Sequence, residues 1–525
     1  MSAADALRER LATITDLGHA AAVLEWDLET YMPPGGAAAR AAQIATLRRL
    51  AHEHLVADET ARALEAAEAA LGRTPDADDP AAALVRVARR DLRRAGALPA
   101  RLVAEQAEAS GLARGAWQAA REAGDFARFA PHLERLVALA TEQADRLAPV
   151  LAEERGPDYA PADPRYDALL DQYEPGATTE RVAAAFDDLR AALVPLVAAI
   201  AAQPAPDDAF LHRAFPEEAQ WAFGLDVARA FGYNLAHGRQ DRSAHPFTTA
   251  FGRTDVRVTT RLDEHFFPTA FFGTVHEVGH ALYEQGFDAS LDRTPLADGT
   301  SLGIHESQSR LWENLVARSP AFWRRWYPEA QRRFPHALAD VPEAAFVAAV
   351  NRVAPSLIRV EADELTYHLH VLLRFSLERR LLGGTLDVAD LPSAWNEGLR
   401  DLLGLTPPSD AEGCLQDIHW ALGAFGYFPT YTLGTLMSAQ LWEAAARDLG
   451  PLEPRLEAGD YAALLAWLRE HVHRHGRVRS AGEILRRTTG RDLDARPWLA
   501  YVHAKYGRLY GLRLPAPGAQ SAPGA

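Results

Sequence analysis

The stretch FFGTVHEVGHALYEQGF, residues 271–287, decides the reading of this chain, and within it the pentapeptide HEVGH at 276–280. Histidines four apart are neighbours on one helix face, with Cβ atoms about 5–6 Å apart. His276 and His280 can therefore share one zinc ion at about 2.0–2.1 Å. Glu277 is turned about 100° from His276 around the helix. It can hold and deprotonate a water rather than bind the ion. The bland alternative is a chance pentapeptide on a solvated helix. The flanks FFPTAFFGTV before it and ALY after it predict a buried helix instead, where two unligated histidines would be costly to desolvate. Gly286 is read as its C-cap.

A catalytic zinc needs a third protein ligand. The Gly- and Asp-rich loop after the pentapeptide leads to GIHESQSRLWENLVARS, where Glu306 opens a second helical pattern. A carboxylate emerging there completes a His276, His280, Glu306 set. His305 is the rival ligand, but as the neighbour of Glu306 it is expected to point elsewhere. Glu313, two turns on, is read evenly as support for the ligands or as a structural residue.

Outward from this core the chain is helix-like. Apolar residues at three-to-four spacing run through most of the first 200 positions, as in TERVAAAFDDLRAALVPLVAAIAA, and resume after the pentapeptide to about residue 512. HPFTTAFGRTDVRVTTRL at 245–262 alternates instead and holds Gly252 at a potential turn, which predicts strands beside the metal helix. Pro-rich stretches such as TPDADDP (74–80) are short enough to be loops. The expectation is a mainly α fold: one helical domain over 1–512, its N-terminal helices a potential lid lobe, with a long cleft and a small β-sheet next to the pentapeptide helix. Residues 513–525 read as a disordered tail.

Composition narrows the function. The 525 residues carry a formal net charge of −16, which disfavours nucleic-acid binding through neutralised phosphates. Lys505 is the single lysine and Cys414 the single cysteine, so no internal disulfide forms. No run of about 18 apolar residues occurs to span a membrane, and the N-terminus lacks the pattern of a secretory signal. A reducing cytoplasm is the expected location. HVHRHG at 471–476 imitates a metal tract but reads as a solvated helix end.

Several stretches in order along the chain carry a resemblance: WDLETYMPPGGAAARAAQ (26–43), YDALLDQYEPG (166–176), HPF (245–247), DVRVT (255–259), HEVGH, HES (305–307), IRVEAD (358–363) and GCLQDIHW (413–420). Together they resemble the M32 family of thermostable-type metallocarboxypeptidases. The resemblance implies an enzyme that removes single C-terminal residues with broad specificity from peptides with a free C-terminus. It implies one divalent metal per chain, zinc or alternatively cobalt, and a homodimer. Arg359 in IRVEAD is then the first candidate to clamp a substrate carboxylate in bidentate fashion and Arg257 in DVRVT the second. Ion pairs with Asp363 and Asp255 are the structural alternatives. His245 is a candidate substrate contact. The twelve-residue step from His419 to Tyr431 is similar to the arrangement in thimet-type oligopeptidases, where the tyrosine donates to the oxyanion. Tyr431 is therefore the first candidate for that role, with His419 beside it, and Tyr427 the second. A zinc endo-oligopeptidase and a non-catalytic helical binding protein are the competing functions.

Overall fold

A computed structural model describes residues 2–72 and 78–513. Most of the TPDADDP stretch and the expected tail beyond residue 513 lie outside the described residues. The fold is mainly helical with one three-stranded sheet. Among the described residues no helix is long and apolar enough to cross a membrane. The chain forms two compact units, each from separate segments. The first takes the segment up to Gly96, Asp207–Val350 and Gln440–Asp492; the second takes Ala97–Pro206, Asn351–Ala439 and the segment from Leu493.

The first unit contains the pentapeptide helix, Phe267–Glu284, with a proline in its first turn, where the missing N–H costs nothing. Its N-terminal half is held in an aromatic core. Phe267 stacks on Phe271 at 5.3 Å, and Phe223, Phe334 and Trp323 pack around the pair. Burial on nearly every side explains why this helix is apolar almost throughout.

Beside it lies the sheet, with strands β1 (Gly238–Arg242), β2 (Thr248–Ala250) and β3 (Val256–Thr260) in the order β1-β3-β2. β2 and β3 are antiparallel, with Thr248 opposite Val258, and Gly252 in the connection has φ +123°, a conformation that favours glycine. These two strands are the ones expected from 245–262. β1 pairs parallel to β3 and was not expected. Its sequence GRQDR lacks the apolar alternation of a strand, because its backbone pairing is supplied by the central strand rather than by a hydrophobic face of its own.

The second unit is built around long helices including Ala100–Ala123, Ala130–Arg155, Thr179–Ala201 and Thr366–Leu382. Phe375 sits edge-on to Tyr166 and Phe186. Glu378, one turn on, is fully buried. It accepts from Tyr166 Oη at 2.7 Å, Trp420 Nε1 at 2.8 Å and the Gly426 N–H at 3.0 Å. Three donors satisfy a carboxyl that burial nonetheless pushes up to about 7.

Candidate metal centre and active site

Two helices of the first unit build the centre. Leu302–Arg310 begins where Ser301 Oγ accepts from the Ile304 N–H at 3.0 Å, a standard N-cap contact. It crosses the pentapeptide helix at Gly279. A Cβ built there would lie 2.6 Å from Ser309 Cα and 2.7 Å from Gln308 O, so backbone meets backbone. That approach brings Glu306 to the histidines. Glu306 Oε2 lies 3.5 Å from His276 Nε2 and 3.4 Å from His280 Nε2, and one donor atom from each of the three falls within 4.8 Å of the others.

The groups behind these three are charged and buried. Arg310 Nε donates to Glu306 Oε1 at 2.7 Å, and its Nη1 lies 3.2 Å from Glu313 Oε2. Glu313 also takes Arg318 Nη2 at 3.1 Å and pairs through Oε2 with His276 Nδ1 at 2.9 Å. Glu313 belongs to a fully buried π-helical turn, Leu311–Ala317; such turns hold one residue more than an α-turn and recur at functional sites. Burial works against a charged Glu306, but Arg310 and His276 hold its carboxyl well below the usual range. Burial likewise opposes charge on His276, yet Glu306 and Glu313 push it up to about 10. Two neutral-capable imidazoles facing a carboxylate, in a pocket that favours positive charge, fit a divalent cation.

His305 lies against this cluster but is otherwise engaged. Its Nδ1 pairs with His280 Nδ1 at 2.6 Å and its Nε2 with Glu284 Oε1 at 2.8 Å. Glu277 is buried, with Thr248 Oγ1 2.7 Å from its Oε2 and 2.9 Å from its main-chain oxygen. Burial raises the Glu277 carboxyl above its ordinary value, the direction that suits a proton acceptor working near neutrality.

The remaining expected residues divide between the units. Arg257 is in the first, on β3, joined to Asp255 by two hydrogen bonds of 2.9 Å and stacked on Trp26 at 4.3 Å. His245 is an exposed residue between β1 and β2. Arg359, His419, Tyr427 and Tyr431 belong to the second unit. There Arg359 is buried; its Nε and Nη2 donate to Asp417 Oδ1 at 3.0 and 2.7 Å and its Nη1 to Tyr367 Oη at 2.7 Å. Arg374 Nε holds the other Asp417 oxygen at 2.7 Å. The ion-pair partner is thus Asp417, not Asp363, the structural alternative to a clamp. Asp363 instead accepts from the Leu365 and Thr366 N–H groups at 2.9 and 3.0 Å, just before the helix that follows. His419 Nε2 lies 3.0 Å from Tyr431 Oη, and Tyr427 packs edge-on to Tyr173 and 5.2 Å from His419.

Two lesser expectations are corrected. Gly286 is not a left-handed cap; a Cβ there would lie 2.6 Å from His473 Nδ1, so glycine is needed for close packing. That same His473 is fully buried, its Nε2 2.8 Å from Gln308 Oε1, so HVHRHG is not a wholly solvated end. Sequence reasoning also passed over Thr248, Arg310, Glu284 and Asp417. Only Glu284 leaves a signal, a third polar residue at the four-residue step after His276 and His280.

Residues 6–506 match the model of the family described as carboxypeptidase Taq (M32) metallopeptidase. The chain belongs to the M32 family. Thermostable carboxypeptidase 1 of Thermus thermophilus is 45% identical over 504 residues, 95% of this chain and 97% of that protein. Carboxypeptidase 1 of Bacillus subtilis is 39% identical over 95% of this chain and 97% of its own. The crystal structure of the M32 carboxypeptidase from Deinococcus radiodurans superposes with a TM-score of 0.90 at 44% identity, over 96% of this chain and 99% of that one. As an M32 member the protein is a metal-dependent carboxypeptidase, a peptide hydrolase that works with a divalent metal.

Proposed function

We propose that this M32 enzyme releases single C-terminal residues from peptides of varied sequence, with His276, His280 and Glu306 holding one zinc ion, or alternatively cobalt. The observation that carries the reading is the convergence of those three side chains beside a buried Glu277. A divalent ion held there supplies Lewis acidity toward a water and the scissile carbonyl. Glu277 removes the proton of the attacking water and returns it to the leaving amine. Thr248 Oγ1, 2.7 Å from Glu277 Oε2, orients that carboxylate.

Tyr431 donates its hydroxyl proton to the oxyanion that develops on the carbonyl. For this, His419 must donate to the phenol oxygen rather than accept from it. Burial lowers His419 to about 4, so the ring is neutral, and its buried Nδ1 has no hydrogen-bond partner. The role therefore requires the tautomer with its proton on Nε2, facing Tyr431. Tyr427 and His245 contribute contacts to the peptide.

Arg359 is the clamp for the terminal carboxylate. Three of the five N–H donors of a guanidinium are given to Asp417 and Tyr367, which fix the plane of the group and leave two donors. Arg257 is the reserve. We further propose a cytoplasmic homodimer.

Digestion of matched free-acid and C-terminally amidated peptides, read by mass spectrometry, tests the function. Stepwise loss of single residues from free acids, with amides largely spared, is expected. Internal cleavage of amides at equal rate would favour an endo-oligopeptidase. Arg359→Ala should lower kcat/KM on free acids by about 10- to 100-fold and narrow the acid-to-amide ratio. If only Arg257→Ala narrows it, Arg257 is the clamp.

A further inference from the structure

His276, His280 and Glu284 follow one another at four-residue steps on the pentapeptide helix, and His305 of the neighbouring helix bridges the last two. His276 is backed directly by a carboxylate, Glu313, which Arg310 and Arg318 keep charged. His280 is backed by a second imidazole, with the carboxylate one step further away. The two candidate ligands are therefore supported differently.

With Glu284 ionised and His305 neutral, the second arrangement takes one set of hydrogens. The His280 and His305 Nδ1 atoms are 2.6 Å apart and share a single proton. Glu284 Oε1, 2.8 Å from His305 Nε2, accepts, so Nε2 carries a hydrogen. A neutral His305 then has a bare Nδ1, which can only accept. His280 must supply the proton from its own Nδ1, and this leaves the His280 Nε2 lone pair free on the side of Glu306. The seat of the His305 ring is closely built. A Cβ on Gly299 would come 2.9 Å from His305 Cδ2, and Tyr283 stands edge-on to the ring at 5.1 Å.

We infer that the Glu284–His305 pair is a positioning device for the metal site, locking His280 in the tautomer whose Nε2 can bind an ion. The inference rests on the ligand set proposed above. It also accounts for the exclusion of His305 from that set, since both of its ring nitrogens are engaged. Partners of this kind, hydrogen-bonded behind a ligating histidine, change metal affinity by about 10- to 100-fold when removed.

The test is the Zn2+ affinity of the metal-stripped full-length chain, measured by competition with a chromophoric chelator, alongside its unfolding temperature. Asparagine sets its amide oxygen near the position of Nδ1, whereas glutamine reaches toward that of Nε2. His305→Asn should therefore keep His280 supported and bind Zn2+ within about threefold of wild type. His305→Gln and His305→Leu should lose about 10- to 100-fold, and Glu284→Gln about tenfold. A purely structural role would impair Asn and Gln equally and lower both unfolding temperatures, which would overturn the inference. It also falls if Gln and Leu bind like wild type. Glu306→Ala separates the two levels: if it binds Zn2+ as wild type does, the ligand set itself is wrong. Should the Leu variant fail to fold, the Asn–Gln contrast decides.

Discussion

Replacing Gly279 by alanine tests the geometry on which the centre depends. The new methyl would stand 2.6 Å from Ser309 Cα and 2.7 Å from Gln308 O, whereas carbon atoms pack at about 3.5–4.0 Å. Both neighbours are backbone, with no rotamer to yield, so the helices must part by roughly 1 Å. Alanine contributes about 1 kcal/mol of helix propensity, and overpacking costs about 1–3 kcal/mol. The net expectation is a loss of about 0–2 kcal/mol, with the fold retained. The ligand set suffers more. Glu306 now lies 3.4–3.5 Å from the two Nε2 atoms, and a shift of about 1 Å is several times the tolerance of about 0.2 Å on metal–ligand distances. Zn2+ affinity should fall by more than about tenfold, on the order of what lost ligand support costs. Gly273 on the same helix is the control: a Cβ there meets only Pro246 Cγ at 3.8 Å. Gly273→Ala should leave Zn2+ affinity unchanged and raise stability by up to about 1 kcal/mol. Thermal unfolding and Zn2+ competition on both variants check this. If Gly279→Ala melts higher than wild type and binds Zn2+ within about threefold, the backbone contact does not set the ligand spacing.

Glu277→Gln should retain Zn2+ and lose about 10²- to 10⁴-fold in turnover, because an amide accepts no proton from water; near wild-type hydrolysis would remove Glu277 from that role. Glu378 should give stability a defined pH dependence. Its folded value is about 7 against an ordinary 4.5, so the folded state binds more protons between those values, and this contribution is lost as pH rises through them. Urea unfolding of wild type and Glu378→Gln at pH 5 and 7.5 should show a larger decline for wild type; equal declines would contradict it. Light scattering should give about twice the 57.3 kDa chain mass for a homodimer, and a monomer mass across a wide concentration range would exclude one.

The parts of the fold legible in the sequence are those whose neighbours are close in the chain. The helix at 267–284 announces itself by its apolar run, and His276 and His280 by their spacing. The β2–β3 hairpin shows through alternation and Gly252. β1 did not, because its pairing partner is the second strand of the hairpin and its residues GRQDR carry no face. Glu306 was legible as a carboxylate at the start of a second helix, but what brings it to the histidines is Gly279, whose role depends on a backbone distant in sequence. The same holds for Arg359. Its local motif offers Asp363, and the ion pair forms with Asp417, 58 positions on. Thr248 beside Glu277 has no signature at all, since a threonine on a strand is ordinary until the partner is known.

The π-turn at 311–317 means that one contact of the centre is written in chain length as well as in residue identity. The residue that distinguishes a π-turn from an α-turn delays everything after it by one position. Removing any one of the seven, even an apolar residue distant from the histidines, would let the segment relax to an ordinary helix. The tighter winding of the ordinary helix would take up the lost residue, so the chain after the turn would keep its face while the residues inside the turn were re-aimed. A deletion at 311 or 312 would re-aim Glu313, which lies inside the turn between His276 and Arg318. Volume-conserving swaps at the apolar positions leave that register intact. For anyone recombining segments of related chains, a splice here must preserve the count of residues before it preserves their kind.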